Sequence, residues 1–133
     1  MLKYYRQLTT LVVLTCVLIS TQSQAKTSAT LTAEDLTMLP DYCQARLGAN
    51  VELRNLWNQR MGPEKFMHLH HYCHGLRYMN RAKFTLDKKQ RRGYFQTAGA
   101  EFDYVIRNWP ADFALTVDAK KQKSQAESML RLP

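Results

Sequence analysis

Residues 63–84 read PEKFMHLHHYCHGLRYMNRAKF, and this stretch decides the fold. Pro63 suits the first position of a helix, where its missing N–H costs nothing, and Glu64 suits the positive end of the helix dipole. Apolar residues then recur at steps of three and four, which is typical of a helix. One face holds Phe66, Leu69, Cys73, Leu76 and Asn80, and a second holds Met67, His71, His74 and Tyr78. The sequence therefore predicts a long helix that is packed on two sides.

A second long helix follows a short polar stretch, DKKQRRG at residues 87–93. Asp87 is suited to cap its start. One helical stripe then runs up to Pro110 and consists of Tyr94, Ala98, Phe102, Val105, Ile106 and Trp109. Two long helices with a short polar connection should lie antiparallel as a hairpin.

Shorter elements flank this hairpin. Residues 32–35 read TAED, a capping box with Asp in place of Glu, and Pro40 ends the turn that it opens. Residues 41–47 form a further short helix, and residues 50–61 form either a short helix or an ordered loop. Residues 117–132 can form a last helix, whose apolar side holds Ala119, Ala126, Met129 and Leu130. The sequence contains no period-two strand pattern, so it predicts an all-α fold.

The first 25 residues are typical of a secretory signal peptide. Lys3 and Arg6 form a positive start, residues 11–20 (LVVLTCVLIS) form a short apolar core, and SQA at residues 23–25 forms a cleavage site near Ala25. The alternative is an uncleaved membrane anchor. We expect a periplasmic or secreted protein after cleavage. Residues 26–38 should then be a flexible lead-in with a short helix, 39–115 the helical domain, and 116–133 a C-terminal helix.

The net charge is +8 at neutral pH. In an exported protein such a charge argues against nucleic acid and favours an anionic membrane surface, a wall polymer or an acidic protein partner. The basic residues Lys88, Lys89, Arg91 and Arg92 form a surface patch around the hairpin turn. The patch is either a solvated helix end or a contact with an anionic surface.

Removal of the signal peptide also removes Cys16 and leaves Cys43 and Cys73. An even number of cysteines in an oxidising compartment predicts one disulfide, which would pin the N-terminal segment across the long helix. The alternative is two separate thiols, one of which serves as a metal ligand.

All four histidines lie within residues 68–74. His70 and His74 are one helical turn apart, and so are His71 and His74, which is a spacing that can place two imidazoles on one metal ion. A zinc or copper site would draw on His70, His71 and His74, with two of them joined by an acidic residue or Cys43 from elsewhere in the chain. Histidines that only pack and form hydrogen bonds are the alternative, in which case no cofactor is expected.

No sequence feature favours an enzyme. The chain contains neither G-x-S-x-G nor H-E-x-x-H, and its acidic residues are scattered. Arg77, Asn80 and Arg81 on the first long helix could meet Asp103 and Tyr104 on the second. We expect such a meeting to be a structural network, because buried polar groups need partners.

Several residues resemble part of a tetratricopeptide repeat (TPR). Ala98, Phe102 and Pro110 have the spacing of the second half of that motif, and Gly75 and Tyr78 have the spacing of the glycine and tyrosine of its first half. The two halves lie about three helical turns further apart than in a standard repeat. The chain is therefore similar to a single, elongated repeat.

A longer string supports a narrower resemblance: LPDYC, then GP-x-x-F-x-H-x-HHYC-x-G-L, then FDYV-x-x-NWP-x-DF-x-L, over roughly residues 39–115. It resembles a group of exported proteobacterial proteins labelled only as TPR-like. The resemblance implies a helical repeat fold and no particular activity. Our hypothesis is thus an exported, periplasmic interaction or scaffold module that binds another envelope protein and is not an enzyme. A small periplasmic metal-binding protein is the alternative.

Overall fold

The fold is all-α in a computed structural model that describes residues 30–132. Six helices follow one another: α1 (Ala33–Thr37), α2 (Asp41–Leu47), α3 (Val51–Met61), α4 (Pro63–Phe84), α5 (Lys88–Asn108) and α6 (Ala114–Arg131). Residues 30–132 contain no strand, and none of their helices is long and apolar enough to cross a membrane. The predicted signal peptide lies outside the described residues.

Local sequence accounts for where the helices begin. Thr32 and Asp35 form a reciprocal capping box on α1, and the side chain of Asn50 accepts a hydrogen bond from the Leu53 N–H on α3. Asp87 caps α5 in the same way, as predicted. Between α3 and α4, Gly62 has a φ of 87°. Only glycine adopts that conformation without strain, so the chain can turn there from one helix into the next.

The core is formed mainly where α4 and α6 pack against α5. Leu69, Phe102 and Val105 are fully buried, and the predicted stripe of α5 faces inward with Tyr94, Ala98 and Trp109 also buried. Each large apolar side chain buried in this way contributes about 1.5–3 kcal/mol to stability. The two-sided packing predicted for α4 follows from α5 on one side and the N-terminal helices on the other.

The last helix differs from the prediction at both ends. It begins at Ala114, three residues earlier than expected, because a turn after Pro110 leads directly into it and the Thr116 and Val117 N–H groups both donate to the Phe113 carbonyl. Ala119 and Ala126 are buried as predicted, but Met129 is exposed. The prediction for Met129 was wrong because the start of α5, which lies beside this end of α6, carries lysines and arginines instead of apolar residues.

The N-terminal helices are attached to α4 by a few specific contacts. Cys43 and Cys73 form a disulfide with their Cα atoms 5.4 Å apart, as predicted. Arg46 of α2 donates hydrogen bonds to the carbonyl oxygens of Phe66 and Met67, at 3.1 Å and 3.2 Å. These bonds run from a side chain to the backbone of α4, so the position of α2 depends on them and on the disulfide.

Arg81 of α4 and Asp103 of α5, which were expected to meet in a polar network, pair with other residues instead. Arg81 donates to both carboxylate oxygens of Asp35 in α1, at 2.9 Å and 2.6 Å. Asp103 pairs with Lys123 of α6 at 2.9 Å and with Arg107 of its own helix at 3.2 Å. The prediction was wrong because it ignored α1 and α6, which cover the two sides of the helix pair.

Candidate functional site

Three surfaces contain residues that the sequence singled out or that could recognise a ligand. They are the histidine face of α4, an aromatic groove beside α3, and the basic end where α5 begins.

The histidine face consists of His68, His70, His71 and His74, all partly buried. Nδ1 of His71 lies 2.7 Å from a carboxylate oxygen of Glu101, and the His71 ring stacks on Tyr104 with centroids 3.6 Å apart. The Tyr104 hydroxyl also forms a 3.2 Å hydrogen bond with Nδ1 of His68. Two of the four histidines are therefore held by α5.

The other two histidines lie closer to the N-terminal helices. Nδ1–H of His70 donates to the Met67 carbonyl at 2.8 Å, whereas the buried Nδ1 of His74 has no hydrogen-bond partner among the described residues. Burial lowers the pKa of both imidazoles, and nearby arginines add to the effect. Protonation of either imidazole is therefore disfavoured in the folded protein.

The metal site predicted from His70, His71 and His74 stays a prediction. The ring centroid of His70 lies 4.1 Å from that of His71 and 6.3 Å from that of His74. Within residues 30–132, no group of three or more His, Cys, Asp or Glu side chains is arranged to hold a metal ion. Cys43 is excluded as a ligand by its disulfide. His71 has Nδ1 on Glu101, which leaves its Nε2 available, since metal-binding histidines commonly hold a carboxylate with the other ring nitrogen.

The aromatic groove was not predicted from the sequence. It has a volume of about 280 Å³ and is lined by Tyr42, Trp57, Arg60, Met61, Phe113 and Leu115. Tyr42 and Trp57 meet edge to face with centroids 5.6 Å apart. Because the lining comes from α2, α3 and the start of α6, only the tertiary packing brings these residues together. The one signal in the sequence was the aromatic residue Trp57. The structure shows that its helix, α3, has no buried residue.

Two cations lie over rings of this groove. The guanidinium carbon of Arg60 is 5.4 Å from the centroid of Trp57, and Nζ of Lys65 is 5.6 Å from the centroid of Phe113. Such cation–π contacts stabilise the rings and cations in fixed positions. None of the six lining residues is acidic.

The predicted basic patch is brought together at one end of the protein. Lys88, Lys89, Arg91 and Arg92 line a pocket of about 530 Å³, together with the apolar residues Phe95, Met129 and Leu132. Nη1 of Arg92 donates to the Leu130 carbonyl at 2.8 Å, which connects the start of α5 to the end of α6. The patch is therefore a basic rim around an apolar floor, and the sequence had shown only the rim.

Comparisons with protein-family models, with curated proteins and with solved structures find no match to this chain. The resemblance to the TPR-like group stays a prediction from the sequence. The function is accordingly argued from the residues and contacts of the three surfaces.

Proposed function

We propose that this chain is an exported helical interaction module that binds another protein of the cell envelope and has no catalytic activity. The observation that carries the proposal is the composition of the aromatic groove. Trp, Tyr, Met and Arg are the residue types enriched at the centres of protein interfaces, where Trp, Tyr and Arg contribute most of the binding energy. Here the groove combines all four types on one surface.

The proposed location is the periplasm or the exterior of the cell. The signal-like residues 1–25 support export. The disulfide between Cys43 and Cys73 is compatible with an oxidising compartment, since such bonds are rare in the reducing cytoplasm. We also propose membership of the exported TPR-like group, with residues 39–115 as a single elongated repeat.

The chemistry of the groove suggests the chemistry of its partner. An apolar side chain can fill the space between Trp57 and Phe113, and Arg60 and Lys65 favour acidic residues beside it. Charge complementarity of this kind guides encounter and selects the partner. The proposed partner is therefore an envelope protein that presents an apolar side chain within an acidic segment.

Photo-crosslinking in living cells tests this proposal. A photoreactive amino acid placed at Met61 should give one dominant adduct with an envelope protein. The same amino acid placed at Gln96, an exposed position on α5 outside the groove, is the control and should not give that adduct. Absence of any specific adduct from position 61 would contradict the proposal.

The partner found in this way allows a quantitative test. Trp57→Ala should weaken its binding about 30-fold or more, because hot-spot residues contribute 2 kcal/mol or above. Leu56→Ala is a matched control, since Leu56 is the neighbouring exposed residue of α3 and does not line the groove. Circular dichroism of both variants establishes that they fold. Equal binding by both would mean that the partner uses another surface.

A small periplasmic metal-binding protein is the second candidate function. It is favoured by His70 and His74, two imidazoles one helical turn apart whose pKa is lowered by burial, which favours the neutral form that binds metals. Native mass spectrometry of the purified protein separates it from the first candidate.

A further inference from the structure

Exposed apolar side chains are concentrated at the end of the protein where α4 connects to α5. Within residues 30–132, nine large apolar side chains are exposed, and four of them lie here. Leu86 is 94% exposed and Phe84 is 72% exposed, the two highest values among the nine. The other two, Met129 and Leu132, belong to the pocket at the end of α6. A patch of this kind on a soluble surface usually marks a site of interaction.

Cations surround these apolar side chains. Residues 83–92 read KFTLDKKQRR and contain five basic residues and a single acidic one. The acidic one, Asp87, is occupied in capping α5, where its carboxylate accepts a hydrogen bond from the Gln90 N–H at 2.7 Å. Arg131 adds a further exposed cation at the end of α6. The local field at this end is therefore strongly positive.

We call the partly or fully exposed residues of this pocket, together with the two exposed apolar residues just before it in the chain, the cationic end: Phe84, Leu86, Lys88, Lys89, Arg91, Arg92, Met129 and Leu132. The pocket is lined by both α5 and α6, and the hydrogen bond from Arg92 to the Leu130 carbonyl joins the two helices. Leu86 lies in the connector only two residues before Lys88, so the exposed apolar pair and the basic rim are adjacent.

We propose that the cationic end binds the surface of a bilayer that contains anionic phospholipid. In the bound state, the lysines and arginines contact lipid phosphates, and Phe84 and Leu86 enter the boundary between headgroups and acyl chains. Peripheral membrane proteins combine the same two elements, basic residues for attraction and a few apolar residues for insertion. The positive charge of this end favours anionic lipids over neutral ones. A bilayer also fits better than a soluble polyanion, because only a bilayer offers an apolar phase that can take up the exposed side chains of Leu86 and Phe84.

Vesicle binding tests this inference. The protein is expressed from its whole sequence and used as it is purified from the cell. It is mixed with vesicles made of equal parts of phosphatidylglycerol and phosphatidylcholine, or of phosphatidylcholine alone. Binding should require phosphatidylglycerol and should decrease as salt is added. Binding of equal strength to both kinds of vesicle, or to neither, would overturn the proposal.

Charge variants locate the contact. Lys88→Gln with Lys89→Gln should weaken binding about 25-fold, because each cation at such a surface contributes about a fivefold increase in affinity. Lys120→Gln with Lys121→Gln is the matched control, since these neighbouring lysines of α6 are also exposed but lie outside the cationic end. Every variant has the same N-terminal segment, so binding through residues 1–29 would be unaffected by either pair. Equal loss in both pairs would mean that only net charge matters.

Insertion has a separate readout. Phe84→Trp should show a blue shift of tryptophan emission on phosphatidylglycerol vesicles that exceeds any shift of the wild type, whose Trp57 and Trp109 lie elsewhere. Phe84→Ser with Leu86→Ser should reduce binding at least tenfold, whereas Val51→Ser with Val117→Ser, two exposed valines outside this end, should not. An unshifted emission would refute insertion.

The inference is independent of the proposed protein partner. Trp57→Ala alters the aromatic groove and should leave vesicle binding unchanged, while the lysine variants should leave the crosslink from position 61 unchanged. Failure of one proposal is therefore distinguishable from failure of the other.

Discussion

Gly75 of α4 lies directly against the ring of Phe102 of α5, and a Cβ atom at position 75 would come within 2.6 Å of the ring carbon Cε1. Phe102 is fully buried, so its ring has no free space to move into. We expect Gly75→Ala to lower the free energy of unfolding by about 1–3 kcal/mol, which is typical of overpacking a well-filled core. Urea denaturation measures the change.

Gly99→Ala is the control for that experiment. Gly99 lies in α5, and a Cβ there would meet nothing within 4 Å. Because alanine is favoured over glycine inside a helix by about 1 kcal/mol, this variant should be as stable as the wild type or more stable. If both alanines stabilised the protein, the close approach of Gly75 and Phe102 would not be a constraint.

The disulfide should stabilise one part of the protein more than the rest. Closing a loop with a sequence separation of 30 residues contributes about 3–4 kcal/mol. We expect Cys43→Ala with Cys73→Ala to remove most of this contribution. Amide hydrogen exchange should become faster mainly in α1–α3, because α3 has no buried residue and α4–α6 keep their own core. A uniform acceleration over all six helices would contradict the prediction.

Asp35 should make the stability depend on pH in strong acid. Burial by itself raises the pKa of Asp35, but hydrogen bonds from Arg81 and Thr32 outweigh it and lower the pKa from 3.8 to about 2. Since the folded state then binds fewer protons than the unfolded state, the stabilisation is complete above about pH 4. It should be lost as the pH falls towards 2. The amount is about 2 kcal/mol.

Asp35→Asn checks this assignment. The variant should lose about 2 kcal/mol at pH 7 and approach the wild type as the pH falls from 4 towards 2. Asp103→Asn is the control, because the Asp103 pairs with Lys123 and Arg107 lie at the surface, where ion pairs contribute little. Urea denaturation at several pH values measures both. A pH profile of Asp35→Asn parallel to that of the wild type would show that another group titrates.

Native mass spectrometry separates the two candidate functions. We expect protein purified from the envelope without chelators to be metal-free, because residues 30–132 contain no group of three ligands arranged to hold a metal ion. One stoichiometric zinc or copper ion that disappears when His70, His71 and His74 are all replaced by Ala would favour the metal-binding alternative. His68→Ala, with a histidine that contacts Tyr104 instead, is the control.

The sequence was sufficient to predict most of the secondary structure. Helix α4 lies at the predicted residues because its signals are local: Pro63 and Glu64 at the start and an uninterrupted apolar pattern behind them. Asp87 and the TAED capping box also act within a few residues of themselves. The disulfide could be predicted because the expected cleavage near Ala25 would remove Cys16 and leave a single possible pairing.

Contacts between distant segments could not be predicted in the same way. Tyr72 donates a 2.5 Å hydrogen bond to Asp118, which is 46 residues away. The pKa of Tyr72 is raised, mainly by burial and to a smaller extent by this carboxylate. Nothing in either local pattern indicates the other residue. The aromatic groove has the same origin, because its six residues come from three segments. The basic patch was found because its residues are contiguous, but its apolar floor was missed since Met129 and Leu132 belong to another helix.

Helix α6 gives the two proposed binding surfaces a fixed separation. It contains 18 residues and is therefore about 27 Å long. Leu115, at its beginning, lines the aromatic groove, and Met129, in its last turn, belongs to the cationic end. If both surfaces are occupied at once, the rigid helix fixes the distance between the two bound partners. The partner protein would then be held at a distance from the lipid headgroups that α6 sets, and that cannot exceed the length of this helix by much.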